Sequence, residues 1–122
     1  MKYFDDGSVA YLEREDFDGQ GRFIVPVKQN KMIVMLQGNF CGYCTQAKPA
    51  YANFARNNPN VLVATIQIDG NQNEQVLGKL ITGSLPDYQG VPHYIAFKNG
   101  KYIKTHTGGR DERSLQYFAN SF

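Results

Sequence analysis

The chain's two cysteines stand three positions apart in Phe40-Cys41-Gly42-Tyr43-Cys44, where an apolar run gives way to a helical pattern. Each sulfur has only the other as a partner within the chain, and such a pair can close into a small ring. If a helix starts at Cys41, its sulfur meets unpaired backbone N–H groups and the positive end of the helix dipole, which favour thiolate over thiol. A thiolate attacks disulfides and a thiol scarcely does. Cys44 lies nearly one helical turn further on, placed to displace a partner from a Cys41 mixed disulfide. This assigns Cys41 as the attacking sulfur and Cys44 as the resolving one. The spacing alone is shared with half of a zinc site and with a small structural disulfide.

The length, 122 residues, predicts one domain over 1–122 that buries roughly two-thirds of its unfolded surface and folds without staples. Two cysteines are too few for a disulfide-rich secreted scaffold, and Met1 to Asp6 lacks the apolar run of a signal peptide. The expected location is cytoplasmic. The longest apolar run, Met32 to Leu36, is far too short to cross a bilayer, so no membrane partner is expected. Thirteen basic and eleven acidic residues give a net charge of +2 with no Lys/Arg block, which argues against nucleic acid as a partner.

Taken in order, Ser8 to Leu12 reads as a short edge strand and Glu13 to Gln20 as a brief helix around Phe17. Lys31 to Gln37 is continuously apolar at its centre, the pattern of a strand covered on both faces. Ala47, Ala50, Tyr51 and Phe54 form the inward stripe of the next helix, with Pro49 expected to kink it. Val61 to Ile68 is a second buried strand, making a βαβ unit with parallel strands. Val76, Leu77, Leu80 and Ile81 mark a third element, a helix, and Thr82 to Val91 a loop. Tyr94 to Phe97 and Tyr102 to Thr105 form a hairpin through Asn99-Gly100, and Asp111 is placed to cap a last helix with the stripe Leu115, Phe118, Ala119, Phe122.

A βαβ unit with C-x-x-C at its helix start, then a helix, Val91-Pro92, a hairpin and a terminal helix resembles the thioredoxin family, including the catalytic domains of protein disulfide isomerases. The resemblance runs from about Val9 to Phe122 and is carried by the motif, Pro49, Val91-Pro92 and Phe97-Lys98-Asn99-Gly100, with Thr107-Gly108-Gly109-Arg110 nearer the isomerase branch. It implies an α/β thioredoxin fold, a central mixed sheet of four to five strands flanked by helices. The implied activity is thiol-disulfide exchange with protein disulfides or dithiols, using no cofactor beyond the redox-active Cys41–Cys44 pair. A reductase or glutathione would be the electron donor, and the role one in cell redox homeostasis. Pro92 is expected to follow a cis bond that exposes the Val91 backbone to an extended substrate. Phe40, Gly42 and Tyr43 in the motif, with Val91, Pro92 and His93, are the expected substrate-binding residues. Arg110 matches an isomerase-type arginine that stabilises the second thiolate, and His93 is a candidate pH-sensitive neighbour of Cys41.

The chain departs from the family where a buried carboxylate, six residues before the first cysteine, and a lysine on the next strand relay protons. Those positions are Met35 and Thr65, so proton transfer from Cys44 is left to water, Arg110 or His93. The motif C-G-Y-C is neither the thioredoxin nor the isomerase dipeptide, and its tyrosine is similar to glutaredoxins. Two other classes stay open on the sequence. A zinc module would need His93 and His106 as further ligands, at a spacing unlike that of zinc sites. A weakly active or non-catalytic interaction module would hold a partner peptide at the Val91-Pro92 groove.

Overall fold

The computed structural model describes Lys2–Tyr3 and residues 7–122 of the chain. Its centre is β3 (Lys31–Gln37), in which Met32 to Gln37 are all buried, as the continuous apolar run predicts. β3 pairs in parallel with β4 (Leu62–Gln67) and antiparallel with β5 (His93–Lys98), so the sheet is mixed. β2 (Ala10–Tyr11) runs parallel to β4 on the far side, β1 (Lys2–Tyr3) adds antiparallel to β2, and β6 (Lys101–Thr105) pairs antiparallel with β5. The order is β1-β2-β4-β3-β5-β6. Five strands from β2 onward match the expected sheet, and the two-residue β1 is an addition. The Ser8 to Leu12 segment is therefore no edge strand. Val9, Ala10 and Leu12 are all buried, so both its faces are covered.

Among the described residues three α-helices flank the sheet. α1 (Gly42–Asn57) joins β3 to β4 and continues through Pro49, burying Cys44, Ala47, Tyr51, Phe54 and Ala55. Together with α3 (Glu112–Ala119) it covers one sheet face, where Ile33, Met35, Val63, Tyr94 and Ala96 meet Leu115 and Phe118. α2 (Gln72–Thr82) covers the other face over Val34, Leu36, Ala64, Ile66 and Ile95. The Tyr51 hydroxyl is shared between the carbonyls of Ile33 (3.0 Å) and Ala64 (2.7 Å), tying the middle of α1 to both central strands.

Several local expectations shift. The brief helix shrinks to a 3-10 turn at Arg14–Asp16, and Phe17 instead bridges Phe23. Val76 points outward, and Leu77, Gly78 and Ile81 form the buried face of α2. A Cβ at Gly78 would lie 3.2 Å from Ile68, so this glycine lets α2 come close to the chain beyond β4. Asp111 occupies the α3 N-cap position, but its carboxylate accepts from the Ser114 hydroxyl rather than from the backbone. β6 is the outer strand on its side, with Lys101 and Tyr102 exposed, and Lys104 reaches the Ser121 carbonyl beyond α3 at 3.1 Å.

The hairpin turn takes the form its Asn-Gly pair predicts, with positive φ at Asn99 (51°) and Gly100 (82°). The Phe23 N–H donates to the Gly100 carbonyl at 2.9 Å, and a Cβ at residue 100 would come within 2.5 Å of the Phe23 carbonyl oxygen. Gly100→Ala is expected to lower stability by about 1–3 kcal/mol, from a left-handed backbone forced on a side chain with a clash added. Urea unfolding checks this as a fall in midpoint at unchanged slope.

Candidate active site

Beyond Gln37 the chain crosses Gly38 to Phe40 and enters α1 with Cys41 as N-cap, in extended conformation (φ −97°, ψ 106°). The Cys44 N–H donates to Cys41 Sγ at 3.0 Å, so the sulfur fills the place a serine or aspartate oxygen takes at other helix starts. This is the helix-start placement predicted from the motif, and it puts any negative charge on Cys41 against the Cys44 amide and the positive helix end. The two sulfurs are paired as a disulfide, with Cα atoms 5.2 Å apart. Their environments differ: Cys41 keeps 7% of its surface and Cys44 none.

The rim around Cys41 is apolar and open. Phe40 and Tyr43 are 72% and 66% exposed, and Gly42 between them is exposed too. The half-buried Val91 and Pro92 lie alongside. Their peptide bond is cis, and the Val91 carbonyl oxygen stands 3.6 Å from Cys41 Sγ. Arg110 is exposed, its guanidinium carbon 5.2 Å from the centre of the Tyr43 ring, a cation-π contact on the motif itself. His106 holds the loop that carries Arg110, with Nε2 2.7 Å from the Gly109 carbonyl.

His93 sits elsewhere. Alternation along β5 places it with Ile95 and Phe97 on the α2 side of the sheet, opposite the face that holds Cys41 and Cys44. Its ring meets Tyr88 edge-on at 5.4 Å, and its buried Nε2 has no partner. Burial lowers its pKa, with Asp87 pulling the other way. Met35 and Thr65 are fully buried, and the Thr65 hydroxyl donates to the Met35 carbonyl at 2.7 Å, so neither supplies an ionisable group beneath Cys44. Among the described residues no three His, Cys, Asp or Glu side chains converge as metal ligands.

Two residues of the site escape the sequence reading. The Asp69 carboxylate accepts from the Asn39 N–H (2.8 and 3.0 Å) and from the Phe40 N–H (3.4 Å), clamping the loop that delivers Cys41. The parallel pairing of Gln37 with Gln67 is the signal that finds it, because it brings residues just past each strand together. Tyr94, the register partner of Met35, lies in the same buried cluster as Cys44 with its hydroxyl unpartnered. Burial pushes its pKa up to about 12, against the opposing charge of Arg110.

The family model described as Thioredoxin matches residues 8–121. A protein described as thioredoxin-like, 453L of Invertebrate iridescent virus 6, is 38% identical over 118 residues, covering 85% of this chain and 85% of that one. Among solved structures, the long form of thioredoxin f from spinach chloroplast superposes with a TM-score of 0.69 at 16% identity, covering 93% of this chain and 85% of that one. The oxidised thioredoxin of Plasmodium falciparum superposes with a TM-score of 0.66 at 18% identity, covering 93% and 96%. The structural likenesses establish the fold.

The lowered pKa of His93 has a measurable consequence. An unfolded histidine, with a pKa near 6.5, takes up a proton more readily than the buried one, so its contribution to stability is present above that pH and lost as pH falls. The carboxylates held low, Glu15, Asp18 and Asp111, act only at more acid pH. The denaturation midpoint should therefore drop between pH 7 and pH 5, and drop less in His93→Gln. Identical pH dependence in both proteins would remove His93 as the cause.

Proposed function

Because the chain belongs to the thioredoxin family, we propose that it exchanges its Cys41–Cys44 dithiol and disulfide with the disulfides and thiols of other proteins. In the reducing direction the Cys41 thiolate attacks one sulfur of a substrate disulfide. A Cys41–substrate bond forms, the substrate S–S bond breaks, and one substrate thiolate leaves. Cys44 then loses its proton and attacks the Cys41 sulfur, closing the Cys41–Cys44 bond and releasing the second thiolate. Two electrons pass to the substrate, and the two cysteine protons match the two thiolates released. A reductase or glutathione returns the protein to the dithiol.

The observation that carries this reading is the difference between the two sulfurs. Cys41 caps α1 with a backbone N–H on its sulfur and retains surface, whereas Cys44 is sealed below it. An extended substrate strand is favoured at the exposed Phe40 and Tyr43 rings and the Val91 backbone, where main-chain pairing and aromatic contact recognise protein rather than a small disulfide. Arg110, resting on Tyr43, brings a positive charge to that rim. A second reading, a weakly active module that holds a partner peptide at the Val91-Pro92 groove, draws on the uncharged Met35 and Thr65 beneath Cys44.

Insulin reduction driven by dithiothreitol separates the two. The wild type is expected to accelerate precipitation, and Cys41→Ser to fall to the rate of dithiothreitol alone. Cys44→Ser should accumulate mixed disulfides through Cys41. Equal rates for wild type and Cys41→Ser would favour the module.

A further inference from the structure

Among the described residues, three buried side-chain atoms lack a hydrogen-bond partner: Gln37 Nε2, His93 Nε2 and Tyr94 Oη. They gather at one end of the sheet, the C-terminal end of β3 and the start of β5, which the Leu36–His93 and Met35–Tyr94 pairings place side by side next to the motif. A buried hydroxyl without a partner costs free energy, and a native fold that keeps one invites the question of when it is satisfied. His93 faces the α2 side. Tyr94 faces the α1 side, in the buried cluster that contains Cys44.

Resting on the exchange reading above, we propose that the Tyr94 hydroxyl donates a hydrogen bond to the Cys44 sulfur once the Cys41–Cys44 bond opens, steadying its thiolate where Met35 stands in place of an ionisable side chain. The groups packed around Tyr94 agree with that role. Met35, its cross-strand neighbour, offers no competing side-chain donor and only a weakly accepting thioether. The Tyr51 ring from α1 lies 5.5 Å away, its hydroxyl already engaged by the Ile33 and Ala64 carbonyls. The His106 ring at the end of β6 lies 5.9 Å away with Nε2 committed to Gly109. Arg110 brings a full positive charge that bears on the phenol. Tyr94 keeps its own proton at neutral pH, being held near 12, and so acts as a donor throughout. When Cys44 ionises, its proton leaves to water or to the departing substrate thiolate, and Tyr94 supplies only the hydrogen bond.

The redox consequence has a definite sign. In the disulfide form the hydroxyl is unpaired, and in the dithiol form it is paired, so Tyr94 favours the dithiol and makes the protein more oxidising. Tyr94→Phe removes the hydroxyl and keeps the ring. In glutathione buffers its disulfide form should be favoured roughly tenfold more than in wild type, a potential lower by about 30 mV. In a Cys41→Ser background, the pH midpoint for alkylation of Cys44 should rise when Tyr94 becomes Phe. A hydroxyl that merely supports packing would change the stability of both redox forms alike and leave the potential where it was.

Should Tyr94→Phe fail to fold, the ¹³Cζ resonance of labelled Tyr94 in the wild type reads the same contact: a shift on reduction supports it. An unmoved resonance, as an ordered water on the hydroxyl in both states would give, overturns it. Unchanged potential and unchanged Cys44 midpoint in Tyr94→Phe overturn it too, as does an effect confined to Gln37→Leu, which would assign the donor to the Gln37 amide. Loss of Cys41-dependent insulin reduction in the wild type is a different failure, that of the exchange reading itself.

Discussion

A backbone amide aimed at a sulfur governs this molecule: the Cys44 N–H pointing at Cys41 Sγ over 3.0 Å. For that contact to exist, α1 must begin at Cys41, and for α1 to begin there the chain must leave β3 at a fixed height and turn sharply. The buried run of β3 sets the height. The Asp69 carboxylate, gripping the Asn39 and Phe40 amides from beyond β4, sets the turn. Reactivity at one sulfur thus follows from strand register two elements away.

The interior beneath the motif has an unusual polar character. Where the family places a carboxylate and a lysine, this chain has a thioether and a hydroxyl that is spent on a backbone carbonyl. The polar groups that remain on that side of the sheet include two phenols, Tyr51 and Tyr94, both driven by burial away from ionisation. A neutral donor needs no buried countercharge and avoids the several kcal/mol that desolvating an ion costs. It also offers no base, so a proton leaving Cys44 has to travel to solvent or to the substrate.

Much of this was legible in the residues, for physical reasons that differ from case to case. The run from Met32 to Leu36 and the Asn99-Gly100 turn each encode one local geometry, and the cysteine spacing narrows to one when it falls at a helix start; the structure has all three. Features that depend on two distant segments did not announce themselves. Asp69 looks like any turn residue until the register of β3 and β4 is known, and Tyr94 looks like one more strand aromatic until its hydroxyl is found without a partner. His93 looked promising because it follows Pro92, yet period-two alternation turns it to the other face. Val76 fits the helical stripe as well as Leu77 does, but α2 turns Leu77, Gly78 and Ile81 inward and leaves Val76 exposed.

The outer strand β6 carries a consequence of its own. Among the described residues no strand pairs with its outer margin, which offers main-chain groups to another extended chain, together with exposed apolar surface on Tyr102 and Ile103. Lys101 and Lys104 stand on this same strand, and Lys104 is moored to the chain just beyond α3. A second copy zipping onto this margin would have to strip water from the exposed Lys101 ammonium and face an identical charge. The strand is thereby guarded by charge against sheet-to-sheet polymerisation.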